Sequence, residues 1–138
     1  MTEEEAQAWL KAEFNVPRET WDKIEAFVAF VRAEMGHQNL ISKASAEHIW
    51  ARHIVDSAQL LKMAGGVDDS QASQKTWLDL GTGAGFPGMV IAIMSNDHVQ
   101  MVESRNKRVD FLARAVEMLD LGDQSTVLGS RLEVISSF

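Results

Sequence analysis

The run Trp77-Leu-Asp-Leu-Gly-Thr-Gly-Ala-Gly-Phe-Pro-Gly88 leaves this chain few folds to choose from. A short apolar strand runs into three alternating glycines, Gly81, Gly83 and Gly85, and then into a helix start at Phe86-Pro87. Glycines let the backbone turn sharply and come close to a bound molecule. The helix start adds unpaired N–H groups and the positive end of a dipole. This is the pattern of the first strand-to-helix turn of a nucleotide-type cofactor site, and it predicts strands alternating with helices downstream.

From Thr76 onward the chain has that rhythm. It predicts a strand over Thr76–Leu80, a helix over 87–94, a strand over His98–Glu103, a helix over 107–119 and a strand over 125–128. Val109, Leu112, Val116 and Leu119 line one face of the second helix, and another element begins at 132–135. Strands separated by crossover helices imply an α/β fold with a parallel, doubly wound sheet and its site at the carboxyl edge. A complete domain of this kind has about six or seven strands, and three can be counted. The expectation is therefore the front part of a longer Rossmann-like domain over 76–138, truncated after the third strand.

Residues 1–75 read as a helical segment. Thr2 and Glu5 form a capping box for a helix reaching Phe14. After Pro17, Trp21, Ile24, Val28 and Val31 recur at helical spacing, with Gly36 as the stop. Asn39-Leu-Ile-Ser is a connector. Ser45 is the expected cap of a third helix carrying Ile49, Trp50, Ile54, Leu60 and Leu61, which Gly65-Gly66 ends. Residues 67–75 form a polar linker.

Composition narrows the partners. Hydrophobic residues make up 46% and charged residues 24%, an ordinary globular balance. No run approaches the ~18 apolar residues of a membrane span. The acidic start, Met-Thr-Glu-Glu-Glu, is unlike a presequence, so a cytoplasmic protein is expected. The lack of cysteine removes disulfides, thiolate metal sites and a cysteine nucleophile, and no metal is expected. Net charge is −7, from 8 basic and 12 acidic residues over 1–76 and 5 and 8 over 77–138. A nucleic-acid partner would therefore need a local basic patch. Arg105, Lys107, Arg108 and Arg114 form the one basic cluster, a candidate phosphate-contacting face or simply solvated helix surface.

Two cofactor templates fit the glycine turn. Gly83-Ala-Gly85-Phe-Pro-Gly88 has dinucleotide spacing. Asp79-Leu-Gly81-Thr-Gly83-Ala-Gly85 has the spacing seen in S-adenosyl-L-methionine (AdoMet) methyltransferases. An acid at the mouth of the turn repels a pyrophosphate and favours AdoMet, whose ammonium and sulfonium are cationic. Asp79 thus tips the choice toward AdoMet, against the simpler role of capping the turn. Glu103, 18 residues after Gly85, is placed to accept hydrogen bonds from both ribose hydroxyls in either cofactor. Leu132 and Glu133, after the third strand, are placed either to border an adenine ring or to form a surface turn. An NAD-type oxidoreductase and a non-catalytic cofactor-binding fragment stand as the alternatives.

The quoted run from Leu78 to Gly88, then Glu103-Ser-Arg-Asn-Lys-Arg108 with Phe111-Leu112, then Ser130-Arg-Leu-Glu133, resembles the ribosomal RNA small-subunit methyltransferase G family. That family is also called glucose-inhibited division protein B. Asn39-Leu-Ile and Arg52-His-Ile-Val-Asp-Ser57 are similar to two of its helical signatures. The resemblance implies a helical cap on a Rossmann-like AdoMet domain that methylates N7 of one guanine in 16S rRNA within the small ribosomal subunit. It carries AdoMet contacts onto Gly81, Phe86, Leu132 and Glu133; Asp79, Gly83 and Glu103 complete the candidate cofactor set.

Guanine N7 carries a lone pair and no proton, so its methylation needs alignment and no general base. No catalytic residue is assigned, in keeping with that chemistry. His53 and Asp56, three apart on one helix, are candidates to face the cofactor turn and shape a guanine pocket. The four tryptophans, Trp9, Trp21, Trp50 and Trp77, read as core.

Overall fold

The computed structural model describes residues 1–66 and 74–129. Helix α1 spans Glu3–Phe14 and α2 spans Arg18–Glu34. A short α3, Lys43–Glu47, and a π-helical turn, Trp50–Ile54, lead into α4, Val55–Met63. Then follow β1 (Thr76–Leu80), α5 (Gly88–Met94), β2 (His98–Glu103), α6 (Asn106–Met118) and β3 (Ser125–Gly129). No helix among the described residues is long and apolar enough to cross a membrane.

The strands form one parallel sheet in the order β1-β2-β3. Residues alternate across it. Val99, Met101, Glu103 and Ser125 are buried against the helices, while Thr76, Leu78, Leu80, His98 and Thr126 are exposed on the other face. Helices α5 and α6 cover the first face, and the N-terminal helices lie over those two in turn. All seven residues of α5 are consequently buried, because the sheet holds one side and α2 and α4 hold the other. Phe27 against Phe86 and Phe30 stacked on Phe111 join the layers within one apolar cluster.

The capping box forms as the sequence predicts: Glu5 N–H donates to Thr2 Oγ1, and Thr2 N–H donates to Glu5 Oε1. The expected third helix does not form as one piece. Ser42, not Ser45, is its cap, accepting the Ser45 N–H at 3.1 Å, and the chain breaks at His48, where φ is −125° and ψ is 37°. The helix restarts because the Glu3 carboxylate accepts the N–H groups of Trp50 and Ala51, at 3.2 and 2.9 Å. A partner 47 residues away thus replaces the preceding turn. Leu60 is 39% exposed, and Ser57 is buried on the inner face of α4. Strand β1 has a neighbour on one side only among the described residues.

Candidate functional site: the carboxyl edge of the sheet

The glycine turn leaves β1 and is pinned at once to β2, where the Val102 carbonyl accepts from both Gly81 N–H (2.9 Å) and Thr82 N–H (3.2 Å). Gly81, Gly83 and Gly85 have φ of 71°, 60° and 99°, a region that side chains disfavour. The space around the glycines divides them. A Cβ on Gly81 or Gly83 would meet nothing within 4 Å. On Gly85 it would lie 2.5 Å from Met89 Cγ, with Leu112 also close, and on Gly88 it would lie 2.6 Å from Met101 Cγ. Gly81 and Gly83 therefore leave an open cradle, whereas Gly85 and Gly88 let α5 close onto the sheet.

Asp79 turns toward that closure. Its Oδ2 accepts from Thr82 Oγ1 (2.5 Å) and from Gly88 N–H (2.9 Å), tying the end of β1 to the first residue of α5. Burial pushes its carboxyl above the ordinary 3.8, against the two hydrogen bonds that pull it down. The carboxylate thus staples the turn that shapes the cradle.

Glu103 ends β2. Because Leu80 pairs with Val102, the next residues along the two strands, Gly81 and Glu103, share the same edge. Glu103 is 6% exposed, and its Oε2 is buried without a hydrogen-bond partner among the described residues. A buried carboxylate oxygen left in that state costs free energy until something donates to it.

On the helical side, the His53 ring stacks on Phe86, with centroids 4.7 Å apart and planes 20° apart. Its Nε2 is likewise buried without a partner. His53 sits in the π-helical turn, a local widening that often marks functional positions. Burial holds its imidazole below the ordinary 6.5; Asp56 opposes this and Arg52 reinforces it. Phe86 is wedged between His53 and Phe27, a packing that local sequence spacing does not signal.

The expected basic cluster is divided. Arg114 is committed to Glu34 (2.8 Å) and Asp110 (2.9 Å) and lies over Phe30. The Arg114 guanidinium, and then Gln38, hold Glu34 below its ordinary value. Arg108 is half-buried and donates to the Asn39 carbonyl at 3.0 Å. Arg105 and Lys107 are exposed. Trp21 and Trp50 stack on each other in the core, and Trp77 donates to Asp97. Leu132 and Glu133 lie outside the described residues.

A parallel sheet with crossover helices and a glycine turn after its first strand defines a Rossmann-like class of domain. Residues 20–137 match the family model described as rRNA small subunit methyltransferase G. A curated relative of that name from Zymomonas mobilis is 53% identical over 98% of this chain and 61% of its own length. Others from Rhizorhabdus wittichii and Novosphingobium aromaticivorans are 50% and 43% identical, each over 99% of this chain and over 60% and 58% of their own lengths. The chain belongs to the rRNA small subunit methyltransferase G family and spans about three-fifths of the length of these relatives.

Proposed function

We propose that this chain carries the AdoMet site of a cytoplasmic methyltransferase acting on N7 of a guanine in 16S rRNA. In this reading residues 1–75 are its helical cap and 76–138 the front of its cofactor domain. The observation that carries the reading is the pairing, on one strand edge, of the open Gly81/Gly83 cradle with the unpartnered Glu103 oxygen. The cradle admits a ligand against bare backbone, and Glu103 has an acceptor to offer a ribose hydroxyl. Asp79 holds the turn in shape and adds a carboxylate beside a cationic ligand. Phe86, backed by His53 and Phe27, gives the cradle an apolar wall.

The glycine environments also favour AdoMet over a dinucleotide. In dinucleotide spacing the second glycine, Gly85, admits the pyrophosphate. Here the direction of its Cβ is filled by Met89 and Leu112.

AdoMet, when bound, supplies an electrophilic sulfonium methyl. The protein's task is then to hold donor and base in line and exclude water, since guanine N7 has no proton to remove. Leu132 and Glu133 complete the adenine side in this reading. Calorimetric titration separates the possibilities: saturable AdoMet binding with none for NADH supports the assignment, and NADH binding alone overturns it. Methyl transfer from labelled AdoMet to 30S subunits, scored as 7-methylguanine, tests the reaction itself.

A further inference from the structure

We propose that the recess between the 35–43 connector and the start of α6 holds a backbone phosphate of the RNA substrate, gripped by Lys43 and Arg108. This rests on the methyltransferase reading and extends it from the cofactor to the partner. The recess has a volume of about 470 Å³, with Asn39, Ser42, Lys43 and Arg108 around Leu40 and Ile41, and no acidic side chain among the described residues lines it.

The absence of acid there is informative in a chain with 20 acidic and 13 basic side chains. Among the described residues Arg32, Lys62 and Arg114 form ion pairs, with Glu3, Glu13, and Glu34 and Asp110, and most other cations form none, so it is the shared acid-free recess that sets Lys43 and Arg108 apart. Lys43 and Arg108 form no ion pair among the described residues, yet both face one cavity. The nearby Glu34 is neutralised by Arg114 and held by Gln38, so it does not cancel their field.

The recess is also preorganised. Arg108 Nη2 donates to the Asn39 carbonyl at 3.0 Å, which fixes the guanidinium and leaves its other donors for a ligand. Gln38 Nε2 reaches the Lys107 carbonyl at 2.9 Å, a second clasp between the connector and α6. A fixed guanidinium and an ammonium lining the same recess suit a phosphate oxygen pair. Arg108 lies in the first turns of α6, just beyond Glu103, so a phosphate here sits at the rim of the cofactor edge. A polynucleotide that brings its base to that edge brings backbone phosphates with it. Phosphate contacts of this kind position a substrate and do not read its sequence.

The test measures binding of a short guanine-containing oligoribonucleotide to the whole chain by fluorescence anisotropy over a salt series. Lys43→Glu is expected to weaken binding about tenfold whatever the RNA sequence, and Lys43→Ala to flatten the salt dependence by about 0.7 in log–log slope. Arg108→Lys is expected to retain more affinity than Arg108→Gln. Lys43 is exposed, so its variants keep the wild-type melting curve. Unchanged RNA affinity and slope in Lys43→Glu, or no RNA binding by the wild type, overturns the proposal. Equal competition by inorganic phosphate at the same concentration of phosphate groups, or an acidic peptide binding where RNA does not, overturns it in favour of a small anion or a protein partner. Failure of the methyltransferase reading is distinct: it is seen as no AdoMet binding by the wild type, whatever RNA does.

Discussion

Strand β2 is bracketed by two buried carboxylates in opposite circumstances. Asp97, just before it, is 4% exposed and fully engaged: Oδ1 accepts from Lys75 N–H and Oδ2 from Trp77 Nε1–H, each at 2.9 Å. Gln124 completes that end by donating to the carbonyls of Ala92, Ser95 and Asp97. Glu103, at the other end, is 6% exposed and keeps an oxygen without a partner among the described residues. Two acids, one strand and nearly equal burial give one closed network and one open one. The closed end fastens the sheet to the loops beneath it, and in the proposed reading the open end is where a ligand has something to satisfy. Polar groups left unpaired at comparable burial separate the two roles better than burial does.

The contrast breaks most easily at Asp97. Asp97→Ala strands the Trp77 and Lys75 donors and should cost about 3 kcal/mol of stability by denaturant melting, at roughly 1–3 kcal/mol per orphaned group. AdoMet affinity of the folded fraction should stay at the wild-type value; a matching loss of affinity would mean that the two ends are not separable.

The next effect is at the cradle. Gly81→Val fills open space with a branched side chain at a φ of 71° and should weaken AdoMet binding about a hundredfold, ~2.7 kcal/mol. Calorimetry showing unchanged affinity would remove the cradle from the site.

The smallest effect is a pH dependence at His53. Its depressed value means that the folded protein holds it neutral while the unfolded chain still takes up a proton. This contribution to stability is complete above pH 6.5 and is lost as the pH falls from there through the folded value. His53→Phe keeps a ring on Phe86 and removes the titration. The gap in melting midpoint between wild type and variant should therefore change as the pH falls below 6.5; a constant gap would deny the coupling.

What was legible in the sequence was local. The β2 bounds follow directly from its pattern, and α6 departs by a single residue at each end, because alternation, helical spacing and turn residues all act over a few positions. The places of the glycine turn after β1 and of Glu103 at the end of β2 follow in the same way. What was not legible depended on distant partners. Glu3 restarts the helix at Trp50, Glu34 takes Arg114 out of the basic cluster from 80 residues away, and the connector brings Lys43 to Arg108. The inward turn of Asp79 lies between these cases: the capping role was foreseeable, but its reach to Gly88 needed the packed helix.

Titration of AdoMet into wild type and Glu103→Gln, with thermal melting of both, tests the central claim most directly. Replacing the open acid should weaken AdoMet about tenfold, the loss of one charge-assisted hydrogen bond, while leaving the melting midpoint unchanged or higher. Equal AdoMet affinity in the two proteins, or a fall in stability like that of Asp97→Ala, would contradict it.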